Sequence, residues 1–488
     1  MAAPIENEEV KNYPSICEIE ASVATGFERV AKEEIEEKLK VPVKPFRGNV
    51  VFTIPFEHVK RVYELHAVDN VYIVLNRFKD FPFSNDLEEA LTQVEKFVSK
   101  INWKLGLDVW GQFFEFAHPI SHLPADETLW KAEEYQEPPV KISKVDDVVH
   151  SDNETAEQVS PSAKQESKAT DHKTQSEPCE RIENVMDAVI HADVVVKTSE
   201  NGAAGDAPVR KSTIPYNPSL PGFRATCYRT GKNHVFQSMQ AAARFGGLIQ
   251  DYFGWNVNLK NFDIEVVLNI NDNDVSVMIP LTRKSLHRRN MSNLGPTTLR
   301  ATIAYNMLRL CKIKAGDVVC DPMCGSGGIP IEAAVCWPSS VHLAGDIHEI
   351  GCNRTVQNVC DLNVHRKNLK KSQIKVDVMQ WDVTDLPLKD DAVDIYVTDL
   401  PFGKRLGSKY DNRKLYPKTL KEMARTCKRE TGRACFLTQD SRNLMKSLGA
   451  LGHLWRRVFM TGINIGGLSA TVTVLQRTKN YFTATDKD

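Results

Sequence analysis

The stretch Val318-Val-Cys-Asp-Pro-Met-Cys-Gly-Ser-Gly-Gly328 joins a short apolar run to a glycine-rich turn. The apolar run predicts a buried strand, and the pattern of residues 329–337 predicts a helix after the turn. Glycines let a backbone adopt positive φ and approach a ligand closely. The start of the following helix offers free N–H donors. The stretch is typical of a cofactor-binding turn, and a turn that only packs a strand against a helix is the alternative.

Further apolar runs follow at regular intervals, at residues 341–344, 376–379, 394–397 and 434–437, with helical patterns between them. Alternating strands and helices predict an open parallel sheet with crossover helices. Residues 458–464 and 469–475 differ, because Gly466-Gly467 between them indicates a terminal antiparallel hairpin. Five parallel strands followed by a hairpin form the Rossmann-like layout of class I methyltransferases.

Acidic residues occur at the ends of successive predicted strands. Asp346 lies 21 residues after Gly325, where an acidic residue binds ribose hydroxyls in doubly wound sheets. Asp382 ends the third strand, where it is expected to accept a hydrogen bond from an adenine amine. No Gly-Lys-Ser/Thr follows the turn, which argues against a phosphate-binding loop for ATP. We therefore predict an S-adenosylmethionine site formed by Asp321, Pro322, Cys324, Gly325, Ser326, Gly327, Asp346 and Asp382.

The stretch Asp399-Leu400-Pro401-Phe402 follows another predicted buried strand. The exocyclic amine of a nucleobase is a poor nucleophile because its lone pair is delocalised into the ring. The Asp399 carboxylate and the Leu400 carbonyl can accept both amine hydrogens, and Phe402 can stack on the base. Catalysis of this kind is mainly orientation. We predict that these four residues form the catalytic turn; an aspartate that merely caps a strand is the alternative.

Positive charge follows the catalytic turn, because residues 403–433 contain 11 Lys/Arg and 3 Asp/Glu. Lys404 and Arg405 are the best candidates in this stretch for contacts with RNA phosphates. His287, Arg288 and Arg289 form a second basic cluster. The alternatives are a solvated helix face for the first group and the rim of a domain junction for the second.

The first third of the chain predicts a strand–helix–strand–strand–helix–strand order over residues 16–78, which is the ferredoxin-like pattern. Residues 126–219 contain 10 Lys/Arg and 19 Asp/Glu and few aromatic residues, so we expect them to be disordered. The other residues contain 52 Lys/Arg and 44 Asp/Glu. The folded part is therefore expected to be basic, although the net charge of all 488 residues is −1.

Composition limits the classes of protein that need to be considered. No apolar run approaches the ~18 residues that a membrane helix needs, and no secretory signal precedes the first strand. The 11 cysteines include no Cys-x-x-Cys pair, and the histidines show no metal-ligand spacing. We expect no metal site and a cytoplasmic location, with a nuclear pool as the alternative.

Together these motifs resemble those of the THUMP-domain tRNA guanosine-N2 methyltransferases. The resemblance covers most of residues 16–478 outside the acidic insert. Residues 223–289 are similar to the conspicuous part of a THUMP domain, including Leu286-His-Arg-Arg-Asn290, and residues 321–327 are similar to the cofactor loop of the family. The catalytic motif departs from the usual Asp/Asn-Pro-Pro-Tyr/Phe at Leu400, whose backbone carbonyl is nevertheless still available.

The resemblance implies three domains. A ferredoxin-like domain would span residues 14–80 and a THUMP domain residues 84–290, of which 220–290 are its clearest part. An S-adenosylmethionine-dependent methyltransferase domain would span residues 291–480. The resemblance also implies a tRNA substrate that is methylated at guanosine six or seven of the acceptor stem. It further implies a small zinc-binding methyltransferase activator subunit as partner.

Two other functions are compatible with the motifs. The first is an enzyme for a different target, either adenine N6 or a guanosine of another RNA. The second is a THUMP-type RNA-binding protein whose methyltransferase domain is only a scaffold. The acidic residues Asp346, Asp382 and Asp399 argue against a scaffold, and S-adenosylmethionine-dependent thermal stabilisation would discriminate between the two classes.

Overall fold

The chain is organised around two mixed β-sheets, one of eight and one of seven strands, in a computed structural model. The structure describes residues 16–118, 120–121, 215–232, 234–295, 297–402 and 409–482. Most of the predicted acidic insert therefore lies outside the described residues, as do Lys404 and Arg405.

The first sheet is built from the N-terminal part of the chain. Its strands are β1 (Ile16–Ser22), β2 (Val43–Phe46), β3 (Asn49–Pro55), β4 (Asn70–Phe78), β5 (Gly222–Thr230), β6 (Asn256–Val257), β7 (Ile264–Asn271) and β8 (Asp274–Pro280). Its helices are α1 (Glu28–Leu39), α2 (Leu87–Glu95), α3 (Trp103–Phe113) and α4 (Ser238–Phe253). The second helix of the order predicted for residues 16–78 is a 3₁₀ helix, Phe56–Glu64, and α3 is an element that the sequence analysis did not predict.

The strand order of this sheet is β2-β3-β1-β4-β8-β7-β5-β6. The sequence analysis separated β1–β4 from the later strands, but β4 pairs antiparallel with β8, from Tyr72 opposite Pro280 to Phe78 opposite Val275. Strands on both sides of the acidic insert therefore share one continuous hydrogen-bonded sheet. This pairing joins residues about two hundred positions apart, for which local periodicity contains no signal.

The second sheet follows in the C-terminal part. Its strands are β9 (Val318–Asp321), β10 (Val341–Asp346), β11 (Asp377–Gln380), β12 (Ile395–Asp399), β13 (Arg433–Thr438), β14 (Trp455–Ile465) and β15 (Leu468–Arg477). The accompanying helices are α5 (Ala301–Leu310), α6 (Gly328–Cys336), α7 (Glu349–Asn368), α8 (Lys409–Thr426) and α9 (Ser441–Ala450).

The second sheet has the order β11-β10-β9-β12-β13-β15-β14. Its first five strands pair in parallel, and β15 pairs antiparallel with both β13 and β14. This confirms the predicted Rossmann-like fold with a terminal hairpin. The strand order reverses between β9 and β12, so a crevice is expected at the carboxyl ends of these two strands. Asp321 and Asp399 are the last residues of those strands.

Side-chain and backbone hydrogen bonds join the two sheets. Thr302 Oγ1 of α5 donates to Asp69 Oδ1 at 2.6 Å, and Asn306 Nδ2 donates to the Ala67 carbonyl at 3.1 Å. The terminal hairpin also takes part, because the Asn464 N–H donates to the Thr25 carbonyl at 3.1 Å. The same hydrophobic core contains residues from both sheets. The two sheets are therefore joined both by hydrogen bonds and by a shared hydrophobic core.

Candidate active site

The glycine-rich loop after β9 has a conformation that only glycine adopts easily. Gly325 and Gly327 have φ angles of +52° and +86°. A Cβ at Gly327 would lie 2.7 Å from Thr355 Cγ2 of α7, so the close approach of the helix also needs glycine there. Gly327 is the N-cap of α6. The loop thus places the free N–H groups of that helix at the carboxyl edge of the sheet.

The loop is held from behind by residues of neighbouring elements. Four hydrogen bonds do this: Thr355 Oγ1 to the Gly325 carbonyl (3.1 Å), Asn358 Nδ2 to the Ser326 carbonyl (2.9 Å), Trp381 Nε1 to the Pro322 carbonyl (3.1 Å) and the Cys324 N–H to the Gly345 carbonyl (2.8 Å). Three loop carbonyls are therefore occupied on the side of the supporting elements, which leaves the opposite side available to a ligand.

The two other acidic residues predicted to bind cofactor are held by turns after β10 and β11. Asp346 Oδ2 accepts from the Gly325 N–H at 3.0 Å, and Oδ1 accepts from the His348 N–H at 2.9 Å. Asp382 is exposed and lies just beyond the end of β11, where Oδ1 accepts from the Thr384 N–H and hydroxyl, both at 2.8 Å. Because β10 and β11 pair in parallel, the structure brings both carboxylates to the loop's edge of the sheet.

The turn after β12 is anchored through its backbone. The Leu400 N–H donates to the Leu437 carbonyl at 2.9 Å. The Pro401 carbonyl accepts from the Tyr416 hydroxyl at 2.6 Å and from Asn412 Nδ2 at 3.0 Å. With one N–H and one carbonyl fixed, the peptide units of the turn have little freedom to rotate, so the turn is pre-organised.

The leucine in the catalytic motif has a packing reason. The Leu400 side chain is 2% exposed and belongs to the apolar core of the second sheet. In the described part of the chain, no hydrogen bond reaches its carbonyl oxygen. Its role as an acceptor for the substrate amine remains a prediction. Phe402, two residues later, is half-buried and packs against the core.

The electrostatics of the crevice are dominated by two carboxyl groups at the ends of β9 and β12. Asp399 Oδ1 is buried and has no hydrogen-bond partner among the described residues. Burial raises the pKa of Asp399 well above its usual range, and the charge of Asp321 adds to the effect. Burial also raises the pKa of Asp321 to about 7, although the Met323 N–H donates to its Oδ1.

Such a pair of carboxyl groups suits cationic ligands and hydrogen-bond donors, because the ionised forms are otherwise poorly compensated. S-adenosylmethionine carries a sulfonium and an ammonium group, so its charge fits the crevice. The contacts of Asp321 and Asp346 with this cofactor remain predictions; the structure places Asp321 at the end of β9 beside the glycine-rich loop and Asp346 against the Gly325 N–H. Asp399 lies on the neighbouring strand, and its buried Oδ1 has no hydrogen-bond partner among the described residues.

The predicted RNA-binding residues differ in their exposure and in whether the structure describes them. Arg288 is exposed, and His287 Nδ1 lies 2.6 Å from Ser285 Oγ in a short 3₁₀ helix. Lys404 and Arg405 lie outside the described residues. Their contact with RNA remains a prediction.

Arg289 does not fit its predicted RNA contact. Its guanidinium donates to Glu332 Oε1 at 2.5 Å and to the His66 carbonyl at 2.8 Å, and its side chain is 16% exposed. Glu332, on α6, is 1% exposed, and Asn290 Nδ2 donates to its Oε2. The charge of Arg289 is therefore already neutralised by Glu332. These contacts favour the junction between the sheets, which was the alternative, and the contact of Arg289 with RNA remains a prediction.

The same junction contains the one group of potential metal ligands in the described part of the chain: His66, Glu332 and Cys336. His66 Nδ1 lies 3.2 Å from Glu332 Oε1 and 3.3 Å from Cys336 Sγ. However, Arg289 donates to the same Glu332 oxygen, and its positive charge would repel a cation there. We therefore interpret the group as part of an ion-pair network.

The structure also reveals residues that the sequence analysis missed or misjudged. Tyr416 lies within the basic stretch 403–433, but it is fully buried and bonded to the catalytic turn. Asn412, Thr355 and Asn358 bond to the catalytic turn or the glycine-rich loop. Each lies among many other polar residues in its helix, a pattern that normally indicates an exposed face, so no sequence signal was available.

The strand order, the glycine-rich loop and the acidic crevice define a class I methyltransferase that uses S-adenosylmethionine. The family model described as "RMKL-like, methyltransferase domain" matches residues 288–470. In the crystal structure of TrmN from Thermus thermophilus, 99% of the chain superposes on 94% of this one, with a TM-score of 0.60 and 18% identity. At that identity the similarity concerns the fold alone.

Similarity to proteins of known sequence extends over nearly the whole chain. The chain is 40% identical to the tRNA (guanine(6)-N(2))-methyltransferase THUMP3 of Mus musculus over 476 residues. The aligned region covers 95% of this chain and 89% of the mouse protein. A shorter similarity, 32% over 230 residues, links 46% of this chain to 40% of the U6 snRNA (guanine-N(2))-methyltransferase THUMPD2 of Mus musculus. The chain belongs to the family of THUMP-domain guanine-N2 methyltransferases that includes THUMP3. No helix in the described ranges is long and apolar enough to cross a membrane.

Proposed function

We propose that this protein transfers a methyl group from S-adenosylmethionine to the N2 amine of guanosine six in the tRNA acceptor stem, giving N2-methylguanosine. The observation that carries this proposal is a pair of acceptors after the strand adjacent to the cofactor loop: the buried Asp399 Oδ1 and the Leu400 carbonyl, neither of which has a hydrogen-bond partner among the described residues. Two acceptors side by side are suited to an –NH2 group, which has two hydrogens to donate. The choice of guanosine six, rather than seven, rests on the name of the mouse relative.

S-adenosylmethionine, when bound, supplies an electrophilic methyl group on a sulfonium. Asp399 and the Leu400 carbonyl accept the two amine hydrogens and favour a pyramidal nitrogen, whose lone pair is then directed at the methyl group. Phe402 provides an aromatic surface on which the base can stack. The N–C bond forms as the S–C bond breaks, and the surplus proton of the methylated amine passes to Asp399 or to water. Because an acceptor stem is a duplex, the base must be flipped out of it.

Nucleoside mass spectrometry tests this proposal. The purified protein, incubated with labelled cofactor and an acceptor-stem tRNA, is expected to yield N2-methylguanosine, and replacing guanosine six by adenosine is expected to abolish the product. N6-methyladenosine as product would establish the adenine alternative, and methylation of U6 snRNA in preference to tRNA would establish another RNA as substrate. Unmodified RNA with an intact cofactor complex would support a non-catalytic RNA-binding protein.

A basic surface next to the catalytic turn supports an RNA substrate. Asn412 links the catalytic turn to the start of α9, because its Nδ2 donates to the Pro401 carbonyl and, at 3.2 Å, to Asp440 Oδ2. Arg413, on α8, and Arg442 and Lys446, on α9, have exposed side chains on the two helices that Asn412 links to the turn. Within the described residues, none of these three basic side chains forms an ion pair. Uncompensated positive charge at this place is suited to RNA phosphates.

Replacing both Arg442 and Lys446 with alanine is expected to weaken tRNA binding and to reduce the slope of log Kd against log salt by about 1 to 2. Filter binding at several salt concentrations measures this slope. The control replaces Lys371 and Lys375, which are exposed ahead of β11 at the opposite edge of the sheet. Equal slopes for the two double variants would contradict a specific role for the α8–α9 surface.

An activator subunit is proposed from the family resemblance. What supports it is a group of exposed large apolar side chains around β10, β11 and α7, namely Val341, Ile347, Ile350, Val356, Val364, Leu369 and Met379. Apolar residues exposed in such number often mark a protein interface. Co-expression with a small zinc-binding subunit is expected to give a stable complex, and a chain that is fully active alone would argue against the proposal.

The domain boundaries 14–80, 84–290 and 291–480 and a cytoplasmic location also remain proposals. The order of elements from β1 to β4, with α1 and one 3₁₀ helix between them, supports a ferredoxin-like first domain.

A further inference from the structure

Asn358, in the middle of α7, has a set of contacts that none of the catalytic steps explains. The residue is buried, with only 1% of its surface exposed. Its Oδ1 accepts from the N–H groups of Ser292 and Asn293, at 3.2 and 2.7 Å, and from the Ser292 hydroxyl at 3.2 Å. Its Nδ2 donates to the carbonyls of Asn293 and Ser326, at 3.0 and 2.9 Å. One buried amide thus joins two separate backbone segments.

The first of these segments connects the two sheets. We call residues 285–300, between β8 and α5, the connecting segment. It is bonded to the glycine-rich loop at a second place, where the Gly295 N–H donates to Ser326 Oγ at 3.1 Å. Thr298 Oγ1 lies 3.2 Å from the same hydroxyl. A Cβ at Gly295 would lie 2.7 Å from Ser326 Oγ, so the two segments touch at this point.

The other segment is the glycine-rich loop, in which Asn358 holds the Ser326 carbonyl while other residues hold the carbonyls of Pro322 and Gly325. Glycines lose more conformational freedom on ordering than any other residue. A loop that is already ordered spares a ligand this cost and therefore binds it more tightly. The Asn358 amide holds the Ser326 carbonyl on the side of α7, next to the Gly325 carbonyl held by Thr355.

We infer that Asn358 is a positioning residue of the cofactor site: it fixes the glycine-rich loop to the connecting segment and so keeps the loop in its cofactor-binding conformation. Asn358 acts through the loop and does not itself contact the cofactor. The affinity for S-adenosylmethionine therefore depends on a segment that belongs to neither sheet. This inference needs only the cofactor and is independent of which RNA is methylated.

Calorimetry with S-adenosylmethionine alone tests this inference. Asn358→Ala is expected to bind the cofactor about tenfold more weakly, which is the effect of losing roughly one well-formed hydrogen bond that orders the loop. The matched control is Asn363→Ala on the same helix, where the amide makes two bonds, of 2.8 and 3.0 Å, to the backbone of Ile374, away from the loop. The control is expected to lower the melting temperature but to leave cofactor affinity unchanged. Equal affinities for Asn358→Ala and the wild type would overturn the inference.

Asn358→Asp separates the two sides of the contact. A carboxylate keeps the acceptor for Ser292 and Asn293 but cannot donate to the Ser326 carbonyl. The aspartate variant is therefore expected to lose at least as much cofactor affinity as the alanine variant. Wild-type affinity in this variant would show that the bond to Ser326 does not position the loop.

A third variant approaches the contact from the connecting segment while Asn358 stays in place. Gly295→Ala brings a methyl group against Ser326 Oγ and is expected to lower cofactor affinity about 3- to 10-fold, again the effect of about one hydrogen bond. Gly449→Ala is the matched control, because a Cβ at Gly449 meets no atom within 4 Å. Unchanged affinity in folded Gly295→Ala would overturn the role assigned to the connecting segment.

Discussion

Asp399→Ala is expected to reduce methyl transfer by about a thousandfold or more while cofactor affinity stays nearly unchanged, a loss of roughly 4 kcal/mol of transition-state stabilisation. The carboxylate is the only side-chain acceptor in the proposed catalytic turn, and its Oδ1 has no other partner among the described residues. Without this carboxylate, the Leu400 carbonyl is the one remaining acceptor that the proposed catalytic turn offers to the amine. Single-turnover assays on an acceptor-stem tRNA, with calorimetry for the cofactor, measure the two effects separately.

Two variants serve as controls for this prediction. Asp346→Ala should behave in the opposite way and lose cofactor affinity, because Asp346 lies at the predicted ribose position beside the Gly325 N–H. Asp399→Asn keeps one acceptor oxygen and should retain some turnover. If Asp399→Ala transfers methyl groups at the wild-type rate, the catalytic turn must lie elsewhere.

The same carboxylate predicts a pH dependence. The ionised carboxylate of Asp399 is the stronger acceptor for the amine hydrogens and also attracts the positive charge that develops on the amine. Burial, with the nearby Asp321, raises the pKa of Asp399 well above the usual range. The kcat/KM should therefore fall as pH falls through this raised pKa, at a higher pH than for an ordinary carboxyl group. Asp321, whose pKa is raised to about 7, titrates in the same crevice, so the profile reports the pair. In Asp399→Asn this acid limb should be displaced or lost.

Arg289→Ala is expected to have the largest effect on stability, with a loss of about 3 to 5 kcal/mol. The mutation leaves the Glu332 carboxylate, which is 1% exposed, without its main counter-charge. The melting temperature should fall on the order of 10 °C. Thermal unfolding followed by circular dichroism measures this effect. Arg288→Ala, one residue earlier and exposed, should change stability by less than about 0.5 kcal/mol.

The pH dependence of stability provides a second test of the ion pair. Burial alone raises the pKa of Glu332, but the charge and hydrogen bonds of Arg289, with help from His66, lower it to about 2. A depressed pKa in the folded state means that the stabilisation is present above the unfolded value, about 4.5, and is lost as pH falls towards 2. Arg289→Ala should lack this acid-dependent loss. Equal melting temperatures for Arg288→Ala and Arg289→Ala, with a lower salt slope in RNA binding, would instead return Arg289 to the RNA-binding residues.

The amino-acid sequence by itself determined the fold class and predicted where the site lies. Strand and helix periodicities depend on neighbours within a few residues, so the parallel sheet and its terminal hairpin could be predicted. The turns after β9 and β12 were predicted for the same reason, because Asp321–Gly327 and Asp399–Phe402 are contiguous motifs. Parallel strands place their carboxyl ends at one edge, so the sequence also indicated that Asp346 and Asp399 face a common crevice.

Tertiary structure alone decided the partners of individual side chains. Arg289 resembled its neighbour Arg288 in sequence, but only Arg289 meets Glu332, which lies 43 residues away on another element. The pairing of β4 with β8 and the role of Asn358 also depend on contacts between distant parts of the chain. Hydrogen bonds and ion pairs act over a few ångströms, and which groups come that close is determined by the packing of whole elements. A local pattern therefore predicts where a charge lies along the chain, but not whether a buried partner already neutralises it.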